Sequence, residues 1–165
     1  MIQTPLLTKR LKIRPLELSD SEFIFQLVNS RGWLEFIGDR DVRSMDDART
    51  YISKILETPN FYYSVIQKLD SNESVGILSF LYREEFDSPD FGFALLPQHY
   101  KKGYAKEASL AYLNHLRDEV LLPEVIGICK EDNESSIKLL KSLGFKYSHK
   151  HKSNGEALTV YSIKN

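Results

Sequence analysis

The sequence predicts an α/β fold on a single mixed, mostly antiparallel sheet flanked by about four helices, in the order β-α-α-β-β-β-α-β-α-β-β. Three observations predict it. Residues 61–69 and 75–83 are rich in aromatic and β-branched residues and are joined by the turn-forming cluster Asp70-Ser71-Asn72-Glu73-Ser74. Polar caps precede apolar stripes at helical spacing, as at Ser44-Met45-Asp46-Asp47. A strand ending at Pro97 then leads through one glycine, Gly103, into a long helix.

Taken in order, residues 7–16 alternate, with Leu11 and Ile13 set among Lys12 and Arg14, which is the period of a half-buried strand. Ser19-Asp20-Ser21-Glu22 reads as a capping box for a first helix reaching about Asn29. Residues 31–40 hold the only Trp and two Gly among several charges with no clean period, and are expected to form a loop. The second helix carries Ala48, Ile52 and Ile55 and stops before Pro59. After the hairpin, residues 91–96 form a third strand of that group. Residues 103–117 are helical, with Ala105, Ala108, Ala111 and Tyr112 at helical spacing. A short strand at 125–129 precedes a helix at 133–143, which Gly144 closes while Phe145 folds back onto it. The last strand pair, 145–148 and 158–163, turns around Ser153-Asn154-Gly155.

At 165 residues the chain has room for one ordinary domain, expected to span 1–165. With 42% hydrophobic and 27% charged residues, the composition is globular rather than disordered. A formal charge of −1 offers no overall attraction to nucleic acid or to an anionic membrane, so any anion site must be local. The start, Met1-Ile2-Gln3-Thr4-Pro5, lacks a basic segment followed by an apolar one, and no apolar run approaches the roughly 20 residues of a membrane span. Cys129 is the only cysteine, which excludes an internal disulfide and a cysteine metal cluster. These features predict a cytoplasmic protein, a monomer or homodimer without nucleic-acid or membrane partners.

The segment with chemical potential is Tyr100-Lys101-Lys102-Gly103-Tyr104-Ala105. The first turn of a helix has unpaired N–H groups and a positive dipole end, and a glycine lets a phosphate approach that backbone closely. Lys101, Lys102 and Lys106 add charge. The alternative is an ordinary strand-to-helix connection in which Gly103 supplies only a bend. A Walker loop is excluded because Tyr104, not Lys, follows the glycine, and a dinucleotide fingerprint needs three glycines.

These residues, with others in fixed order, resemble the GNAT acetyltransferases, and within them the RimJ/RimL-like branch of ribosomal-protein N-acetyltransferases. Thr8-Lys9-Arg10-Leu11-Lys12-Ile13-Arg14-Pro15 resembles that branch's opening strand. Tyr100-x-x-Gly103-x-Ala105, followed by Glu107-Ala108, resembles the acetyl-CoA motif Gln/Arg-x-x-Gly-x-Gly/Ala. Asn133-Glu134-Ser135-Ser136-Ile137 with Leu143-Gly144-Phe145 resembles the next motif. Two departures stand out: Tyr100 replaces Gln or Arg, and Leu140 stands where many members carry a tyrosine acid four residues before the glycine.

The resemblance implies a GNAT fold and transfer of acetyl from acetyl-CoA to a primary amine, either a protein N-terminal α-amine or a small-molecule amine, by direct attack in a ternary complex. It implies that Leu95, Tyr100, Lys101, Lys102, Gly103, Tyr104, Ala105, Lys106, Asn133 and Ser136 contact the cofactor. Pantetheine would run between strands 91–96 and 125–129, with a backbone N–H near residues 93–95 as oxyanion donor. Ser136 is the candidate acid, or else serves the first turn of its helix. Asp90 and Glu85 are the candidate bases, or else solvated loop charges. No metal is expected: His149 and His151 share a strand face without an accompanying carboxylate motif, and Cys129 reads as a small buried hydrophobe. Trp33 and Phe36 are either core or acceptor-pocket wall. A non-catalytic acyl-CoA-binding sensor is the alternative function, because the usual tyrosine is absent. The acceptor pocket, drawn from residues 29–43 and the hairpin ends, carries no recognisable motif.

Overall fold

The computed structural model describes residues 2, 4–120, 122–153 and 155–164. Strands β1 (Leu6–Leu7), β2 (Leu11–Pro15), β3 (Phe61–Lys68), β4 (Ser74–Leu81), β5 (Asp90–Leu95), β6 (Glu124–Lys130), β7 (Lys146–Ser153) and β8 (Glu156–Lys164) make one sheet. Their spatial order is β1-β2-β3-β4-β5-β6-β8-β7. Every neighbouring pair is antiparallel except β5 with β6. The fold class expected from sequence is the one observed. Of the expected terminal turn, Asn154 lies outside the described residues, as do Met1 and Gln3 of the opening segment.

Five α-helices are described rather than four: α1 (Ser21–Val28), α2 (Arg31–Phe36), α3 (Met45–Glu57), α4 (Tyr104–Val120) and α5 (Glu134–Ser142). α2 falls in the stretch expected to be a loop. Its six residues are too few to show a helical period, and packing of Trp33, 5% exposed, holds it in place. The first cap also lies earlier than expected. Glu17 caps a 3-10 turn at Leu18–Asp20 in a reciprocal box with Asp20, while α1 begins at Ser21 without a side-chain cap. Asp20 is additionally fixed by a buried ion pair with Arg14 at 2.6 Å. The other caps follow the sequence: Ser44 accepts from Asp47 N, and Asn133 accepts from Ser136 N. The end of α5 is a Schellman turn, with Gly144 at φ +95°, Gly144 N bonded to Lys141 O and Phe145 N to Leu140 O.

Strand alternation divides the core between the two faces of the sheet. On one face Leu11, Ile13, Ile66, Leu78, Phe80 and Phe91 pack beneath Tyr112 and Leu116 of α4 and Leu140 of α5. On the other, Val65, Ile77 and Leu96 pack against Ile24 and Leu27 of α1, Trp33 of α2 and Ile52 of α3. The central strands are therefore covered on both faces, which leaves the opening within the plane of the sheet.

Candidate active site

That opening lies between the two parallel strands. β5 and β6 share one Cα pair, Asp90 with Ile126, where Ile126 N donates to Pro89 O at 2.9 Å. Beyond this pair the strands part. Alternation along β5 turns the polar backbone groups of Gly92 and Ala94 toward β4 and those of Phe93 and Leu95 toward the gap. The fork thus presents an unpaired strand edge, including the expected cofactor residue Leu95. Its open end faces two helix N-termini, because β5 leads to α4 and β6 leads to α5.

At the α4 end, the loop makes two left-handed steps, Lys101 at φ +60° and Gly103 at φ +81°. Such reversals curl successive N–H groups into a concave nest, and those of residues 104–106 have no carbonyl one turn earlier to receive them. Lys101, Lys102, Gly103 and Lys106 are exposed, and Tyr104 and Ala105 half-buried. All the loop residues expected to hold cofactor are therefore together. Arg10, not foreseen in this role, reaches the loop from the β1–β2 turn: its Nη1 donates to Lys102 O at 2.9 Å. Its Nε donates to Glu107 Oε2 at 2.7 Å, and the guanidinium lies 4.7 Å from the Tyr104 ring centre.

At the α5 end, Asn133 Oδ1 caps the Ser136 N–H at 3.2 Å, so Ser136 is not needed for that backbone role. The Ser136 hydroxyl is half-buried and has no protein hydrogen-bond partner among the described residues. Leu140, in the position of the family's tyrosine, is 2% exposed and wedged against β6: a Cβ on Gly127 would meet its Cδ2 at 2.6 Å.

At the narrow end of the fork sits Asp90, 6% exposed. Arg83 Nε donates to its Oδ2 at 2.9 Å. Burial raises the Asp90 pKa, opposed by Arg83 and by the N–H of Ile128, the next β6 residue after Ile126 on the β5 side. Glu85 is exposed in the loop after β4 and touches this group only through its charge, which adds to the rise. The two expected carboxylates are thus neighbours in unlike environments. Tyr51 and Tyr63 gather on the same side. Burial lifts both hydroxyl pKa values, against the charge of Arg40 on each and of Arg83 on Tyr63. These tyrosines were not singled out from sequence. Alternation places Tyr63 on the Asp90 face through the row Tyr63, Ser79, Gly92, but only the cross-strand register reveals it.

Helix α2 spans the mouth of the fork. Lys130 at the end of β6 donates to Glu35 O at 3.0 Å, and the Tyr100 hydroxyl rests on Gly32 so closely that a Cβ there would collide with it. Tyr100 therefore ties the lysine–glycine loop to α2. Trp33 is core, as one of its two expected roles, whereas Phe36 is half-buried. Elsewhere, the His151 ring packs tilted against Phe86 with centres 4.8 Å apart, and burial pushes the Cys129 thiol up to about 11, the state of an unreactive thiol. Among the described residues no group of three His, Cys, Asp or Glu side chains is placed to hold a metal. Among them, too, no helix is long and apolar enough to cross a membrane.

Residues 10–146 match the model of the acetyltransferase (GNAT) domain family. The chain is 26% identical over 139 residues to the uncharacterized N-acetyltransferase YnaD of Bacillus subtilis, covering 84% of this chain and 81% of that one. Its fold is similar to that of a GNAT-family acetyltransferase from Bacillus anthracis, with a TM-score of 0.82 at 22% identity over 98% of both chains. It is also similar to RimL, a ribosomal L7/L12 alpha-N-protein acetyltransferase solved with coenzyme A, with a TM-score of 0.81 at 19% identity over 96% of both. With a family match over residues 10–146 and a parallel strand fork that opens onto a nest at a helix N-terminus, the chain belongs to the GNAT acetyltransferases, the acetyl-CoA-dependent N-acetyltransferase family.

Proposed function

We propose that this enzyme acetylates a primary amine, either the α-amine of a protein N-terminus or a small-molecule amine, by direct attack in a ternary complex. The single observation that carries the proposal is the fork: its unpaired Phe93 and Leu95 edge leads directly to the Lys101–Gly103 nest. Bound acetyl-CoA supplies an activated thioester. The N–H groups of residues 101–106 hold its pyrophosphate, with Lys101, Lys102 and Lys106 adding charge, Tyr104 and Ala105 bordering the nest, and Tyr100 closing it toward α2. Leu95 and Phe93 pair with the amides of pantetheine as an added strand would, and one of their N–H groups donates to the developing oxyanion. Asn133 fixes the first turn of α5 beside the cofactor.

For proton transfer, Asp90 is the better base of the two carboxylates. Its burial raises the pKa toward the operating pH, where a base is most effective, while Glu85 is exposed. An α-amine with a pKa near 8 asks less of that base than a lysine near 10.4. Ser136, its hydroxyl free of the helix cap, gives the proton to the leaving thiolate. The similarity to RimL, named for an α-N-protein activity, supports the α-amine as acceptor class. The test is thiol release from acetyl-CoA across a panel of N-terminal peptides and small amines. At least one amine should be turned over, and Asp90→Asn should lower that rate about 10²-fold or more. Coenzyme A binding without amine-dependent thiol release from any member would overturn the proposal.

A further inference from the structure

We infer that Arg10 is a positioning residue for cofactor binding: it sets the phosphate nest by holding the Lys102 carbonyl, and Glu107 holds Arg10. The inference rests on the cofactor reading of the loop given above. Residues 10 and 102 are distant in sequence, yet Arg10 Nη1 donates to Lys102 O at 2.9 Å. A trans peptide is planar, so its C=O and the following N–H point in opposite directions. Fixing the Lys102 carbonyl toward Arg10 therefore turns the Gly103 N–H away from Arg10, to the open side of the loop. One hydrogen bond sets the orientation of the next donor.

The guanidinium is itself held from three sides. Glu107, in the first turn of α4, accepts from Arg10 Nε at 2.7 Å and from Arg10 N at 2.9 Å, and from Thr8 Oγ1 at 2.7 Å. The cation also lies over the Tyr104 ring, fixing the first residue of the helix. A Cβ on Gly103 would meet Arg10 Nη2 at 3.3 Å, so the guanidinium lies against the glycine as well as the carbonyl beside it. A left-handed residue on each side, Lys101 and Gly103, takes the Lys102 carbonyl out of the helical ladder and leaves it open to accept from Arg10.

A direct phosphate ligand and a positioning residue predict opposite signs at Glu107. If Arg10 only supplied charge to the cofactor, removing the neighbouring carboxylate would leave coenzyme A binding unchanged or tighten it. If Arg10 acts through the loop, removing Glu107 frees Arg10 and weakens binding. The experiment is isothermal titration of coenzyme A and of pantetheine, which lacks the pyrophosphate, with the wild type, Arg10→Ala, Arg10→Lys and Glu107→Ala. Arg10→Ala and Glu107→Ala should each weaken coenzyme A about tenfold and leave pantetheine within about twofold, with Arg10→Lys failing to rescue because it lacks the forked donor. Arg10 is exposed enough for its alanine variant to fold, with 43% of the side chain accessible, and pantetheine binding reports intact folding in each variant. Unchanged coenzyme A affinity in either alanine variant, or tighter binding in Glu107→Ala, would overturn the role of Arg10. A wild type that binds coenzyme A no better than pantetheine would instead overturn the reading of the loop itself.

Discussion

Replacing Gly103 with valine should separate cofactor binding from folding. Gly103 has φ +81°, a region where an L residue costs about 1–2 kcal/mol, more for a β-branched one. Its new Cβ would also lie 3.3 Å from Arg10 Nη2, so relief of strain displaces the guanidinium from Lys102 O. In a chain of this length, 1 kcal/mol corresponds to about 2–4 °C of Tm, so the free variant should melt only several degrees lower. The cofactor effect is of similar size: a ligand at 100 times its Kd stabilises by about 2.7 kcal/mol. The assay is thermal unfolding with and without acetyl-CoA. The wild type should gain several degrees and Gly103→Val almost none, with unchanged far-ultraviolet circular dichroism. A variant that keeps the full acetyl-CoA shift would refute the placement of the phosphate at this loop.

Three further outcomes are expected. Ser136→Ala should lower kcat at least about tenfold while coenzyme A affinity stays within about twofold, and wild-type turnover would remove Ser136 as the acid. Glu107 has its pKa pushed up by burial but pulled down further by Thr8 and Arg10, leaving it below the ordinary 4.5. Its stabilisation is therefore full above that value and lost as pH falls through the lower folded one, so the Tm gap between wild type and Arg10→Ala should shrink on acidification. A gap that widens at low pH would contradict this sign. Leu140→Tyr, which restores the residue common in the family, should destabilise by about 1–3 kcal/mol because Leu140 already abuts Gly127. An unchanged Tm with faster thiol release would show instead that a phenol fits there.

The helices and strands with strong local signals were legible. Period-2 alternation marked β2, the cap at Ser44 marked α3, and Gly144 with Phe145 marked the end of α5. What escaped was structure made by contacts distant in sequence. α2 has six residues and a glycine, and it exists because Trp33 is buried and Lys130 and Tyr100 hold it across the fork. The cap at Glu17 was hidden because Ser19 and Asp20 formed an equally plausible local pattern. At the site, the nest was readable from Gly103 and its lysines, but Arg10 was not, since nothing local ties residue 10 to residues 102 and 107. Asp90 was legible as a carboxylate at a strand start. Its burial against Arg83 and Ile128 depends on where β5 and β6 diverge, which no single strand encodes.

Binding of cofactor along the β5 edge and into the nest at α4 would be visible in a crystal structure with coenzyme A bound. Pantetheine amides should lie within about 2.7–3.2 Å of Phe93 and Leu95 backbone atoms, and pyrophosphate oxygens at the same range from N–H groups of residues 101–106. Coenzyme A seated elsewhere, with the Phe93 and Leu95 edge left unpaired, would contradict it.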